Sequence, residues 1–424
     1  MIRFSISLIL FSFLALLILT IVVGSKVLAV SEQTPNLPQV FYIHSDNPAL
    51  KVLLGVDHQF EGVFSTELTG YELGMLSSMG VRVEQVQLRK ITAPKQDKCG
   101  DGICQGFENA AICPLDCGGG EPTPTPTSEP TPTPTPDPSN RSCLPDNQIP
   151  YGISMVNGGA GGVGITVAVL DTGVKQDHPD LANRIVSCTT EVTHHNADSQ
   201  NCEDAHGHGT HTSGTVLADG GSDGLGIYGV APGASLMAVK VCDRRGWCFG
   251  DDVAAGIRFA ADNGANIISM SIGGDSADSQ ELSAIDYAAS KGVLVVAAAG
   301  NDGPANGSID YPGAYVKVAA AGAIDSSKNV PSWSSRGIND GDGVVEEREV
   351  EFATPGVSVE STNKNGCYEY MSGTSMSTPH VSGLAAKLWQ GSASATRTYL
   401  QNHSADIWTV GDDSATGFGL PIAP

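Results

Sequence analysis

Short apolar runs with almost no polar interruption recur along the chain beyond its midpoint and just before it, at 165–170, 236–241, 266–271, 293–298 and 316–321. Segments with helical spacing separate them, at 252–262, 280–290 and 375–388. A strand that is apolar on both faces has to be covered on both. The alternation therefore predicts an α/β fold: a doubly wound, mostly parallel sheet with helices on either side. Ligands of such sheets bind at the carboxyl ends of the strands. Asp171 and Ser271 fall at two of these ends, and Asn301 follows soon after a third. Upstream the pattern is mixed. Residues 40–43, 60–68 and 80–86 read as strands and 71–79 has helical spacing, which predicts a small α+β unit.

The first residues carry another pattern. Residues 4–23 are apolar behind Arg3, and Val27-Leu28-Ala29 ends on a small residue, so a secretory signal cleaved after Ala29 is expected. The run is long enough to span a bilayer, which makes an uncleaved anchor the rival reading. Export suits the ten cysteines, an even number that permits complete disulfide pairing. Cys99, Cys104, Cys113 and Cys117 crowd into a knob expected to hold its own disulfides. A cation-binding loop built on Asp101, Glu108 and Asp116 is the alternative there, and an oxidising compartment disfavours zinc thiolate. Residues 121–138 repeat Pro-Thr and form a stiff, extended linker. The chain thus divides into a signal (1–29), an α+β unit (30–95), a Cys-rich module (96–120), a Pro-Thr linker (121–142) and a large domain (143–424). Its 46 Asp and Glu against 23 Lys and Arg give a net charge of −23, which argues against nucleic acid or an anionic membrane surface as partner.

Three segments carry chemistry. Gly373-Thr374-Ser375 is a small-residue turn in front of a helix. A serine hydroxyl at such a place becomes a nucleophile only if a base takes its proton and donors receive the oxyanion. His206-Gly207-His208-Gly209-Thr210-His211 offers imidazoles among glycines, and residue type alone leaves the three histidines in competition. Asp171-Thr172-Gly173 ends an apolar strand on a carboxylate, although that tripeptide by itself is a weak signal.

Taken together, these motifs resemble the subtilisin-like serine proteases, in which the triad runs Asp, His, Ser along the chain; the resemblance covers roughly residues 146–420. It implies an endopeptidase acting through an acyl-enzyme, with Asp171 orienting the base, His208 (first histidine of the His-Gly-Thr-His motif) as that base, Ser375 as nucleophile and Asn301 as oxyanion donor. It also implies that residues 30–95 are a propeptide, both folding template and intramolecular inhibitor, and that the substrate is protein or peptide. Ser271, Ile272 and Gly273 would form one edge of the substrate groove, and Gly246 and Cys248 the other, with an extended peptide between them. Gly300, Asp302 and Asp310 would line the first specificity pocket, where two carboxylates would favour Arg or Lys before the scissile bond. Calcium (Ca2+) is implied on Asp180 and Asp223, with Asn147 or Gln148 completing the set.

Cys242 and Cys248 sit six apart on the second groove edge and are expected to pair. Cys188 pairs with Cys202 by default, which leaves Cys143 and Cys367 for each other. Two features depart from the family: an acidic insertion at 337–351 with no evident role, and Pro421 where the closing motif has Asn. The rival function is an inactive, secreted or cell-surface binding protein that displays the Cys-rich module on its linker.

Overall fold

The computed structural model describes residues 39–91, 143–194 and 201–424. The signal segment, the Cys-rich module with its four cysteines and the Pro-Thr linker lie outside the described residues.

The N-terminal lobe runs β1 (Val40–His44), α1 (Pro48–Leu54), β2 (Gln59–Phe60), β3 (Val63–Glu67), α2 (Gly70–Ser78), β4 (Arg82–Gln85) and β5 (Leu88–Ile91). An antiparallel sheet in the order β2-β3-β1-β4 packs Phe41, Ile43 and Phe64 against Leu50 and Leu76 of the two helices. Thr69 and Glu72 form a capping box that starts α2 where the spacing predicted it. The run 60–68, expected as one strand, folds back on itself as the β2–β3 hairpin, with Phe60 opposite Val63. Helix α1 was not expected; Asn47 caps it and Pro48 begins it, a start signal in a segment too short to show periodicity. β5 leaves this sheet altogether and joins the large domain.

That domain continues α3 (Tyr151–Met155), β6 (Thr166–Asp171), β7 (Ile185–Thr190), α4 (His208–Leu217), β8 (Ser235–Lys240), β9 (Trp247–Phe249), α5 (Gly250–Asp262), β10 (Ile267–Met270), β11 (Ile272–Gly273), α6 (Ser279–Ser290), β12 (Leu294–Ala298), β13 (Val318–Ile324), β14 (Phe352–Pro355), β15 (Val359–Thr362), β16 (Tyr368–Met371), α7 (Thr374–Lys387), α8 (Ala393–Asn402), β17 (Ser404–Ala405) and β18 (Leu420–Pro421). The main sheet has the order β14-β13-β12-β10-β6-β8-β7 and every pairing in it is parallel. Alternate strand residues face opposite sides. Val167, Val169, Ile267 and Val296 join a core with Val216 of α4 and Val381 and Leu384 of α7. On the other side Leu170, Val239 and Val241 close on Gly256 of α5. The doubly wound α/β sheet expected from the apolar runs is therefore the fold.

Cys143–Cys367, Cys188–Cys202 and Cys242–Cys248 are disulfides, the expected pairs. The insertion at 337–351 packs on the domain rather than standing off it: Arg348 N–H donates to Ala314 O, and Glu351 is buried against Arg397 and Gln401 of α8. Pro421 lies in β18, where Leu420 and Pro421 pair with β17 and close the chain.

Candidate active site

Strands β6 and β10 are neighbours, with Leu170 opposite Met270. Asp171, the last residue of β6, and Ser271, the residue after β10, therefore stand side by side at the carboxyl edge of the sheet, about 5 Å apart as paired strands are. The histidine segment is not among the helices expected from spacing. It nevertheless opens helix α4, and His208 is its first residue. Asp204 holds that start. One of its oxygens accepts the N–H groups of His206 and Gly207; the other accepts Thr210 N–H at 2.8 Å and the Thr210 hydroxyl at 2.7 Å. The Thr172 hydroxyl donates to Asp204 and accepts from Gly209 N–H, which ties the strand end to the helix start. Gly209 lets them meet, since a Cβ there would stand 2.2 Å from Gly173 O.

The result is a close pair. His208 Nδ1 lies 2.8 and 2.9 Å from the two Asp171 carboxylate oxygens, with both residues buried. Asp171 also accepts Thr172 N–H at 2.7 Å. His208 Nε2 is buried and makes no hydrogen bond among the described residues. The other two histidines of the segment have different surroundings. His206 stacks edge-on to His208 at 6.3 Å, its pKa pushed down by burial and by its neighbour's charge. His211 Nε2 donates to the backbone carbonyls of Val359 and Glu369, and burial pushes its pKa down to about 3.

Ser375 is the second residue of α7 and is fully buried. Pro379, four residues on, has no N–H, so the helix cannot use the Ser375 carbonyl in the ordinary way. Ser271 uses it instead: its hydroxyl donates to Ser375 O at 2.8 Å, while Ser375 Oγ donates to Ser271 O at 3.0 Å. The expected link from Ser375 to His208 is thus not made in this state, because the hydroxyl is turned toward the Ser271 carbonyl. Thr374 orients Asn301. Its N–H and hydroxyl donate to Asn301 Oδ1 at 3.0 and 3.1 Å, and Gly300 N–H donates to the same hydroxyl. With its carbonyl end held, the Asn301 amide group turns its NH2 end the other way.

The two groove edges are occupied by the chain itself. β5 lies between β11 and β9, antiparallel to both, with Ile91 opposite Ile272, Lys90 opposite Gly273 and Trp247, and Arg89 opposite Cys248. Ile91 N–H donates to Gly246 O at 3.1 Å. Beyond this strand Asp302, Asp310 and exposed Asp275 bring their carboxylates within 4.8 Å of one another. Burial pushes Asp310 up to about 7, with Asp302 and Asp275 adding their repulsion, and burial likewise raises Asp302. A Cβ at Gly300 would collide with Asp310 at 2.5 Å, so the turn and that carboxylate are packed together.

At the expected calcium residues, Asp180 is buried and accepts Ile227 N–H at 2.9 Å and the Tyr368 hydroxyl at 2.7 Å. Asp223 folds onto its own loop, accepting Leu225 N–H. Gln148, rather than Asn147, is the side chain that reaches this loop, donating to the carbonyls of Gly224 and Gly226; Asn147 binds Glu360 through its backbone.

A model of the subtilase family matches residues 162–419. Over 293 residues the chain is 42% identical to a subtilisin of Bacillus sp. (strain TA39), covering 64% of this chain and 70% of the relative. Subtilisin Savinase of Lederbergia lenta is 38% identical over 279 residues, 64% of this chain and 96% of that protein. Among solved structures, Sphericase superposes with a TM-score of 0.63 at 45% identity, and the S41 psychrophilic protease with 0.63 at 40%. Each covers 66% of this chain and 100% of its own.

Proposed function

The chain belongs to the subtilase family of serine peptidases, and from that premise we propose that Asp171, His208 and Ser375 are its triad and that β5 blocks the groove as the end of a propeptide. The observation that carries this reading is the buried Asp171–His208 pair at 2.8 Å, beside a serine tied to the strand that β5 covers.

The steps follow from the geometry. With Asp171 accepting from Nδ1, the His208 proton sits there and Nε2 is the basic nitrogen. A rotation of Ser375 away from the Ser271 carbonyl gives its proton to Nε2 as Oγ attacks the peptide carbonyl. The oxyanion meets the Asn301 NH2 and the Ser375 N–H at the start of α7, donors fixed by the fold before charge develops. His208 then protonates the leaving amine, and a water deprotonated by the same nitrogen releases the acyl group. Ser271–Gly273 and Gly246–Cys248 hold the substrate by main-chain pairing, which reads extension rather than sequence.

Three finer readings accompany it. The carboxylates of Asp275, Asp302 and Asp310 suit a Lys or Arg side chain immediately before the scissile bond. Export with loss of the first 29 residues fits the leader pattern and the three disulfides; among the described residues no helix is long and apolar enough to cross a membrane. Calcium fits the Asp180 site. A Cβ at Gly226 would come within 1.9 Å of Asp180 Oδ1, so the loop that carries Asp223 packs directly on this buried carboxylate, and the side chains at hand offer the oxygen ligands calcium takes. Asp180, Asp223 and Gln148 would hold the ion, which would supply stability rather than chemistry. A chelator should then lower the unfolding temperature of the wild type but not of Asp180→Asn.

A fluorophosphonate probe tests the central claim. The wild type should label once processed and Ser375→Ala should not. A processed wild type that stays unlabelled would overturn the triad and favour the inactive binding protein.

A further inference from the structure

Main-chain pairing explains why β5 can lie in the groove but not why its side chains are what they are. Arg89 stands out. It is a cation from the N-terminal lobe with 0% of its side chain exposed, sunk between β9 and β11 into the large domain. Its guanidinium forks onto Glu281, which is also fully buried: Nη2 lies 2.5 Å from Oε2, and Nε lies 3.1 and 3.4 Å from the two oxygens. Nη1 donates to Ser276 O at 2.7 Å. The wall opposite is made thin by Gly274, where a Cβ would stand 3.2 Å from Nη1.

Glu281 is held from behind. It lies in the first turn of α6, and the helix cap Asp278 accepts its N–H at 3.0 Å. Asp278 is itself fixed, since its N–H donates to the Tyr315 hydroxyl and that hydroxyl donates back to Asp278 O. The rest of the lobe touches this same turn, through the Tyr42 hydroxyl and Gln87 N–H on Asp278. The carboxylate is thus carried by a rigid element of the large domain and stays when the lobe leaves.

Register says which substrate residue would fill the pocket. Ile91 is opposite Ile272, and Ser271, the next residue back, accepts Ser375 Oγ. A substrate strand in the place of β5, continued one residue further, presents to Ser375 the carbonyl of the residue opposite Ser271. The residue in the place of Arg89 is then the fourth before the bond to be cut. We propose that Glu281, with the Ser276 carbonyl, forms a pocket selecting arginine at the fourth position before the scissile bond, so that this enzyme cuts a subset of extended peptides and its own β5 is held as a substrate-like strand. The inference rests on the groove reading given above. It is separate from the Asp275, Asp302 and Asp310 cluster, which would act on the residue next to the cut.

Arginine fits better than lysine because the contact is a planar fork onto a carboxylate, with a further donor spent on a carbonyl. An apolar residue there would leave Glu281 covered and unpaired, which is where the discrimination comes from.

Quenched peptides that differ only at the fourth position before the cut test this on the processed enzyme. Arg should exceed Leu in kcat/KM by about 30-fold or more, the order of effect seen when one partner of a buried charge pair is removed, with Lys between them. In Glu281→Gln the ratio of Arg to Leu should fall toward one; being a ratio within one preparation, it does not depend on how much enzyme folds. If that variant yields no folded enzyme, the wild-type profile decides alone. An enzyme that labels with fluorophosphonate and cuts Arg and Leu peptides alike overturns the pocket and leaves the protease reading standing. An enzyme that neither labels nor cuts overturns the protease reading and the pocket with it.

Discussion

Asp171 acts on one nitrogen and thereby decides the use of the other. Both carboxylate oxygens are within hydrogen-bond distance of His208 Nδ1, so the ring proton is held there and Nε2 is left basic. An Asn at 171 can present its NH2 to Nδ1 and reverse the tautomer. Asp171→Asn should therefore lower kcat by about four orders of magnitude at neutral pH with little change in KM, read by steady-state hydrolysis of a peptide substrate. In the proposed mechanism Asn301 acts on charge that exists only in the transition state. Asn301→Leu should cost about two to three orders of magnitude in kcat while leaving KM near the wild-type value. Thr374→Val removes the hydroxyl that links Gly300 N–H to Asn301 Oδ1 but keeps the Thr374 backbone N–H on that oxygen. Its kcat should fall by less than that of Asn301→Leu, and an equal loss would mean the hydroxyl does more than orient the amide.

Elements bring these residues together by fitting backbone against backbone. Helix α4 approaches β6 so closely that a Cβ on Gly209 would overlap the Gly173 carbonyl. Gly209→Ala should destabilise the domain by about 1–3 kcal/mol, the usual cost of overpacking, measured by denaturant unfolding, and should slow fluorophosphonate labelling more than that loss of folded protein explains. This contact also marks the limit of what sequence pattern can say. The apolar strands at 166–171, 235–240 and 294–298 were legible because burial on both faces writes an unbroken apolar run. β7 was not, since it is the sheet edge and only partly covered, and its composition is half polar. Helix α4 was not legible because two glycines and two histidines hide its period, and Asp204, whose carboxylate accepts Thr210 N–H, stands three residues ahead of the Gly207 cap instead of at the cap itself. The proposed triad could be picked out from motif because each member sits at an element end. Glu281 was not: in sequence it is one acidic residue in the first turn of a helix, where acids are common. Only the lobe that packs over it reveals a charge partner.

At the scale of the whole molecule, the lobe is docked by charge as well as by β5. His58 of the lobe reaches into the large domain, with Nε2 2.9 Å from Asp252 and 3.1 Å from Glu191 O. Burial alone would lower its pKa, but the Asp252 hydrogen bond and charge, with Asp251 and Glu191 behind, hold it above the ordinary value. His194 of the large domain donates or accepts at Asp251 at 2.8 Å and faces Asp57 and Glu67 of the lobe. Burial opposes its charge too, yet Asp251, Asp252 and Asp57 keep its pKa up to about 9. Asp252 is pushed up to about 6 by burial and by Asp251. These shifts share a sign. A histidine whose pKa is raised by docking favours the docked state below its free value near 6.5 and ceases to do so as pH climbs through the raised one. A carboxylate raised by docking favours release once pH passes the same kind of threshold. His194 keeps Asp251 and Asp252 when the lobe leaves and loses only Asp57 and Glu67, so His58 carries the larger share. The lobe should therefore bind most tightly near pH 5–6 and loosen steadily toward pH 9. In Ser375→Ala, which cannot cut itself, trimming of the lobe by an added protease should accelerate over that range relative to a control substrate for the same protease. His58→Gln should flatten the response, because on release its ring loses Asp252, Asp251 and Glu191, the groups that raise its pKa. A lobe whose protection grew as pH rose would mean that these histidines do not govern docking.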